Sequence, residues 1–206
     1  MSKVTKRLRV AVVGGSLGGL LAANLLLRAG HEVTVHEQIP DELSGRGAGI
    51  ATHKELLNAL ELAGAVVDPT VGINIEQRIV LGMDGSIIAR HRYPQIFTSW
   101  GRLYRLLKDA FPSDRYFSGM AFTHTETEKT TLQVHFADGE SFDADLLVGV
   151  DGLRSTVRGQ IVQRVTPKYA GYIAWCGLVD ESQISNNTHA IFFDRLTFFF
   201  HQTSKW

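Results

Sequence analysis

One cysteine, Cys176, stands in the whole 206-residue chain. A lone thiol excludes an intrachain disulfide and any cysteine-built zinc centre. Net charge is lacking as well, since 21 Lys+Arg balance 21 Asp+Glu. No overall field therefore draws the chain to nucleic acid or to an anionic membrane surface. The basic stretch "VTKRLRV" reads as the flank of a strand rather than a binding arm. The eight histidines show neither His-x-His nor His-x-x-x-His spacing. Those on strand-like segments (His91, His124, His135 and His189) are read as structural, and no metal site is expected. No apolar run approaches the roughly 20 residues that span a bilayer. A strand begins within the first ten residues or so, which leaves no room for the apolar core of a secretory signal. A cytoplasmic location is expected.

What the sequence does hold is an α/β pattern. "LRVAVV" is a short apolar run ending in glycine, as a buried parallel strand reads. Leu17 to Ala29 is apolar and alanine-rich, a buried helix stopped by Gly30. "HEVTVHE" follows as a second strand ending at Glu37. Together they form a βαβ unit. Gln38 to Gly49 reads as a glycine-rich loop, and "THKELLNALELAG" as a helix with Thr52 as N-cap and Gly64 as stop. Two strands should meet at Asp84-Gly85, a hairpin signal. "WGRLYRLLKDAF" is an amphipathic helix ended by Pro112. Residues 120–152 predict a β-meander, with turns near Lys129 and Asp138-Gly139, feeding an apolar strand. "RSTVRGQI" reads as helix; "YAGYIAWCGLVDE", "AIFFDR" and "LTFFFHQTSKW" read as strands. The last of these ends in Phe198, Phe199, Phe200 and Trp206 with nothing to cover it. An unpaired apolar strand invites aggregation, so the chain is expected to be a fragment or to need a completing partner.

The first βα turn reads Gly14-x-Ser16-x-x-Gly19, one residue short of a dinucleotide fingerprint. In such a turn the first glycine permits the bend, the second lets backbone approach a pyrophosphate, and the third lets the helix close on the strand. Serine is the small polar substitute at the middle position, and the helix N-terminus supplies N–H groups and a positive dipole end. Ala23 and Gly30 are small where helix must pack on sheet. Glu37 ends the second strand, 23 residues after Gly14, where a carboxylate accepts from ribose hydroxyls and disfavours a 2′-phosphate. FAD or NAD is thus preferred over NADP in this pocket. A second constellation, "DLLVGVDGLRSTVR", ends a strand in Asp151-Gly152 and continues with Ser155 as helix cap and Arg158 one turn along, placed for an anion or a carboxylate.

The fingerprint with Glu37, the loop "SGRGAGI" and "DLLVGVDGLRSTVR" together resemble the single-component FAD-dependent aromatic hydroxylases, the fold typified by p-hydroxybenzoate hydroxylase. "VVGGSLGGL", "FTSWGRLYRLLKDAFPSDRY" and "YAGYIAWCGLVDE" look closest to the branch that hydroxylates dihydroxypyridines. The resemblance implies a Rossmann-type FAD-binding domain over residues 1–165. Part of the substrate-domain sheet would be inserted around residues 72–98, and an incomplete β-rich substrate domain would cover 166–206. It implies that Gly14, Ser16 and Gly19 carry the FAD pyrophosphate turn and Glu37 the adenosine ribose. Arg46 would sit near the phosphate–ribityl region, with Gly47 and Gly49 letting backbone approach the flavin. Backbone around Ala121 would lie near the adenine, and Asp151 would serve both FAD and the nicotinamide cofactor. The reaction implied is NAD(P)H- and O2-dependent hydroxylation of an aromatic or N-heteroaromatic ring through a C4a-hydroperoxyflavin. A homodimer is compatible with the resemblance.

Three departures from the family's pattern stand out. Trp100 occupies a place where many relatives carry arginine, with Arg102 and Arg105 as neighbouring candidates to replace it. Trp175-Cys176-Gly177 stands where Trp-Arg-Gly is common, and Cys176 is read as a small buried residue. No later Gly-Asp flavin motif occurs, so no catalytic acid or base is named, and FAD binding by the chain alone is expected to be weak. The alternative reading is a non-catalytic FAD- or nucleotide-binding fragment requiring its missing C-terminal half. A simple NAD dehydrogenase leaves Asp151-Gly152 and the meander without a role.

Overall fold

The computed structural model describes residues 6–45, 48–128, 131–162, 165–172, 179–193 and 195–199. Strand β1 (Arg9–Val13) enters helix α1 (Leu17–Arg28), which returns to β2 (Glu32–Glu37). β1 pairs in parallel with β2 on one side and with β10 (Leu146–Gly149) on the other, while β6 (Tyr116–Ser118) extends the sheet beyond β2. The order is β10-β1-β2-β6, all parallel.

Alternation along β1 decides what covers each face, because successive side chains of a strand point to opposite sides. Val10 and Val12, with Val33 and Val35 of β2, pack under α1, α2 (Lys54–Leu62) and α3 (Trp100–Asp109). Ala11 and Val13 face the other way, onto an antiparallel meander of β7 (Phe122–Glu128), β8 (Thr131–Phe136) and β9 (Ser141–Ala144). Both faces are buried, which is why the strand reads as an unbroken apolar run. Asn24, buried in α1, donates from Nδ2 to the Leu20 and Leu107 carbonyls at 3.0 and 2.9 Å and so fastens α1 to α3.

A second sheet runs β11-β4-β5-β3. β4 (Ile73–Leu81) and β5 (Ile87–Ser99) form its hairpin, with Gly85 left-handed (φ +79°) and Asp84 accepting from the Ser86 backbone N–H at 3.0 Å. β3 (Gly49–Ala51) is antiparallel to β5, and β11 (Arg195–Phe199) is parallel to β4. Among the described residues no helix is long and apolar enough to cross a membrane.

Several expectations are corrected. The loop read as Gln38 to Gly49 ends short of Gly49, which opens β3. Thr52 does not cap α2: its hydroxyl donates to the Ile96 carbonyl, and the His53 ring nitrogen accepts from Leu56 N–H instead. Gly30 packs against nothing; it is exposed, left-handed (φ +93°), and acts purely as a stop. "AIFF" is not a strand in its first part, since Ala190–Phe192 lie in helix α5 (Asn186–Phe192), started by the Ser185 hydroxyl accepting from Thr188 N–H. Arg46, Gly47, the turn at Lys129, and Trp175-Cys176-Gly177 lie outside the described residues, as does the stretch 200–206.

Candidate functional site

The carboxyl ends of β1 and β2 and the chain after β10 enclose a cavity of about 470 Å³. Gly14, Ser16, Glu37, Met120, Phe122 and Asp151 are among its walls. This is the edge at which doubly wound sheets bind ligands.

The turn after β1 is held from three sides. Gly14 is left-handed (φ +109°) and its N–H donates to the His36 carbonyl at 2.8 Å; a Cβ there would strike the Val150 carbonyl. Gly19 lies so close beneath it that a Cβ would overlap the Gly14 carbonyl oxygen. These two glycines therefore do the work that a fingerprint turn assigns to its first and third. Gly15 is gripped by side chains: its N–H donates to Glu37 Oε2 at 2.8 Å and its carbonyl accepts from Tyr116 Oη at 3.2 Å.

Ser16 stands at the N-cap of α1 with ordinary extended dihedrals (φ −77°, ψ −173°), and its side chain makes no capping hydrogen bond. The first N–H groups of a helix have no intrahelical partner, so the open end of α1 faces the cavity with its donors and its positive dipole end.

Glu37 is 6% exposed. Besides Gly15, it accepts from the Ile39 N–H through Oε1 at 2.9 Å. Each carboxylate oxygen retains a second lone pair after this. Asp151 is turned inward: it accepts from the Ser155 hydroxyl and from the Thr156 and Val157 N–H groups at 2.7 and 3.1 Å, capping α4 (Thr156–Ile161). Ser155 caps the same helix, accepting from Arg158 N–H at 2.9 Å. The Arg158 guanidinium donates to the Leu153 carbonyl.

The structure thus brings Gly14, Ser16, Glu37 and Asp151 to one cavity and sets Gly19 directly beneath it. Ala121 lies between two wall residues, Met120 and Phe122, with its carbonyl accepting from Ala137 N–H at 2.8 Å. Gly49 sits on β3 opposite Ser99, against the Phe97 ring, and is not among the wall residues. Arg46 lies outside the described residues. Trp100 lines the cavity, stacked on Tyr104 with ring centres 5.2 Å apart. Arg102 is not among the wall residues; it bonds Thr70 and pairs with Asp68.

Three residues at or beside the site escaped the sequence reading. Tyr116, raised in pKa by burial and then by its hydrogen bond to Tyr104, braces the turn from β6, a strand of three residues with no periodic signal. Lys108 lies over its ring, and burial lowers that amine to about 8. His36, beside Glu37, is fully buried among Phe117, Phe136 and Phe142, with burial lowering it to about 4 against a smaller opposing pull from Asp138.

The fold matches solved structures, and the sequence matches curated proteins. The structure of 2,6-dihydroxypyridine-3-hydroxylase from Arthrobacter nicotinovorans superposes with a TM-score of 0.85 at 31% identity, covering 93% of this chain and 49% of that one. Over the part of them that it spans, the chain is similar to FAD-dependent aromatic hydroxylases. The 2,6-dihydroxypyridine 3-monooxygenase of Paenarthrobacter nicotinovorans is 32% identical over 190 residues, which are 92% of this chain and 48% of that protein. The 6-hydroxynicotinate 3-monooxygenase of Pseudomonas fluorescens is 32% identical over 186 residues, with 81% and 46% covered. A family model described as FAD binding domain-like matches residues 169–206. The chain spans about half the length of these curated relatives. The α/β architecture with its parallel sheet agrees with the fold read from sequence.

Proposed function

We propose that this chain binds FAD as part of a flavin- and NAD(P)H-dependent monooxygenase that hydroxylates an electron-rich aromatic or N-heteroaromatic ring of the dihydroxypyridine kind, with molecular oxygen as co-substrate. The observation that carries this reading is the open N-terminus of α1, not capped by Ser16, facing the cavity that Glu37 and Asp151 also line. The family relationship supports the choice of FAD and of a ring substrate.

In this reading Gly14, Ser16 and Gly19 form the turn that receives the pyrophosphate. A phosphate at a helix N-terminus gains about 0.3–1 kcal/mol from the dipole, and more where water is excluded. Glu37 has a lone pair left on each oxygen for the ribose hydroxyls while its other two hold the turn in shape. Backbone at Ala121 flanks the adenine; Arg46 and Gly49 serve the phosphate–ribityl and flavin side. Asp151 acts by fixing the loop between β10 and α4 against the cofactor and the transient nicotinamide. FAD, when bound, supplies the oxygen-activating chemistry. The chain supplies position, an anion-friendly turn and a wall of Trp100, Met120 and Phe122 that keeps water out. Residues 1–165 make the FAD-binding domain in this scheme. Those around 72–98 belong to the substrate-side sheet, and 166–206 continue it.

Titration followed by quenching of flavin fluorescence tests the proposal. Weak saturable FAD binding is expected, competed by ADP and not by FMN, because the residues identified here hold the adenosine diphosphate half. A chain that is folded by circular dichroism and binds neither FAD nor ADP refutes it.

A further inference from the structure

On the meander, away from the cofactor turn, the β7–β8 hairpin carries an arrangement that the proposed function leaves unused. Phe122 pairs with Phe136, both buried toward the first sheet, but the next pair is His124 with His135. Two steps on β7 thus oppose one step on β8: the hairpin contains a bulge at Thr123. The extra residue turns His124 to the same outer face as His135, and Glu126, two residues further along β7, shares that face. The rings of His124 and His135 stack at 4.5 Å. His124 Nε2 lies 3.5 Å from Glu126 Oε1, and His135 Nε2 lies 3.9 Å from Glu126 Oε2.

We propose that His124, Glu126 and His135 form a three-ligand site for a divalent transition metal, with Zn2+ as the natural probe. Two imidazoles and a carboxylate with one position left open are a known donor set for that ion. All three donor atoms lie within 4.8 Å of one another. Metal–ligand bonds of about 2.0–2.1 Å at tetrahedral angles place donor atoms roughly 3.3–3.4 Å apart. The two histidine–glutamate separations exceed that by roughly 0.1–0.6 Å and the histidine–histidine one by at most about 1.5 Å, an inward swing open to the exposed side chains of His124 and Glu126.

The surroundings prepare the nitrogens as ligands. The Thr123 hydroxyl donates its one proton to the His135 carbonyl at 3.0 Å, so toward His124 Nδ1, 3.1 Å away, it acts as acceptor. Thr123 thus offers His124 Nδ1 a hydrogen-bond partner, an arrangement that suits Nε2, which faces Glu126, as the ligand atom. His135 Nε2 is itself buried with no hydrogen-bond partner. The bulge is braced by Gln160 of α4, whose amide donates to the Thr123 carbonyl at 2.8 Å and accepts from Thr125 N–H at 3.3 Å. A hydrogen-bonded second ring nitrogen and a braced backbone are the supports that metal-binding histidines use.

Calorimetric titration of Zn2+ into the tag-free chain, in a buffer that does not coordinate metal, is the test. One high-affinity ion per chain is expected, lost in the His124→Ala/His135→Ala double variant and in Glu126→Gln. Thr123→Val and Gln160→Leu keep all three ligands yet should weaken binding by about tenfold or more. Circular dichroism checks that each variant folds. Absence of binding, or binding equally tight in the double variant, overturns the proposal. So does an NMR titration in which His124 and His135 respond to pH and ignore Zn2+, since a proton alone then bridges the cluster.

Discussion

Lowering the pH should unfold this chain through His36 before its exposed carboxylates matter. The ring is fully buried, stacked at 4.5 Å on Phe136 and 5.2 Å on Phe117, with Phe142 against its edge. Nε2 meets the Thr34 hydroxyl at 3.0 Å, while Nδ1 is buried without a partner. An imidazolium here gives up its hydration and gains no acceptor for the second N–H. Burial accordingly lowers the folded-state value from 6.5 to about 4. Between those two values the unfolded chain binds a proton that the folded chain refuses, so stability falls as pH drops and is restored as it rises. At about 1.4 kcal/mol per unit, the full loss is roughly 3 kcal/mol, of which about 2 is already gone by pH 5.

Urea unfolding at several pH values between 7.5 and 4.5 measures it, with His36→Phe as reference. The variant keeps an aromatic ring in the box and has nothing to titrate. Carboxylate effects are common to both proteins and cancel in the difference. The stability gap between wild type and variant should therefore shift by about 2 kcal/mol between pH 7.5 and pH 5. A gap that stays constant across that window refutes the reasoning, because His36 would then take up its proton without resistance from the fold.

Two further predictions concern the turn. Gly19→Ala drives a methyl into the Gly14 carbonyl and should cost about 1–3 kcal/mol in urea unfolding, with FAD quenching lost; unchanged stability and binding would refute the close packing. Glu37→Gln leaves one acceptor for two N–H donors, Gly15 and Ile39, and should destabilise by about 1–3 kcal/mol while lowering ADP affinity. An unaltered urea midpoint and ADP affinity would show that the carboxylate does not hold the turn.

The βαβ unit was legible because its signals are local. Apolar Val10 to Val13, the left-handed Gly14 and the stop at Gly30 each follow from a residue and its immediate neighbours. The Asp84-Gly85 hairpin was legible for the same reason. What stayed hidden depends on partners far along the chain. β3 and β6 have three residues each, too few to show a period, and exist because β5 and β2 offer them edges. His36 sits in an alternating stretch that puts it on the polar face; it is buried because the meander, some hundred residues later, closes over that face. Ile191 and Phe192 carry strand-forming side chains, and the cap at Ser185 overrides them. At the site, Glu37 could be named from its spacing, but not its grip on Gly15; and Tyr116 gives no sign in the sequence that it reaches back across 101 residues to the turn.

The departure from the fingerprint at Ser16 is explained by the same distribution of contacts. Of the three conserved places in such a turn, only two meet a hard steric limit from the protein itself: Gly14 through its left-handed backbone and the Val150 carbonyl, Gly19 through the Gly14 carbonyl. At the middle place φ is −77°, a conformation open to any L-residue, and the side chain points into the cavity wall rather than into neighbouring backbone. Under the proposed function, the constraint on that residue therefore comes from the ligand side alone. A small hydroxyl that caps nothing satisfies it as glycine does, and brings a donor where glycine brings none. The rigidity that a third glycine would not supply anyway is furnished by Glu37 and Tyr116, which hold the N–H and carbonyl of the one residue, Gly15, between the two fixed glycine-dependent contacts and the helix.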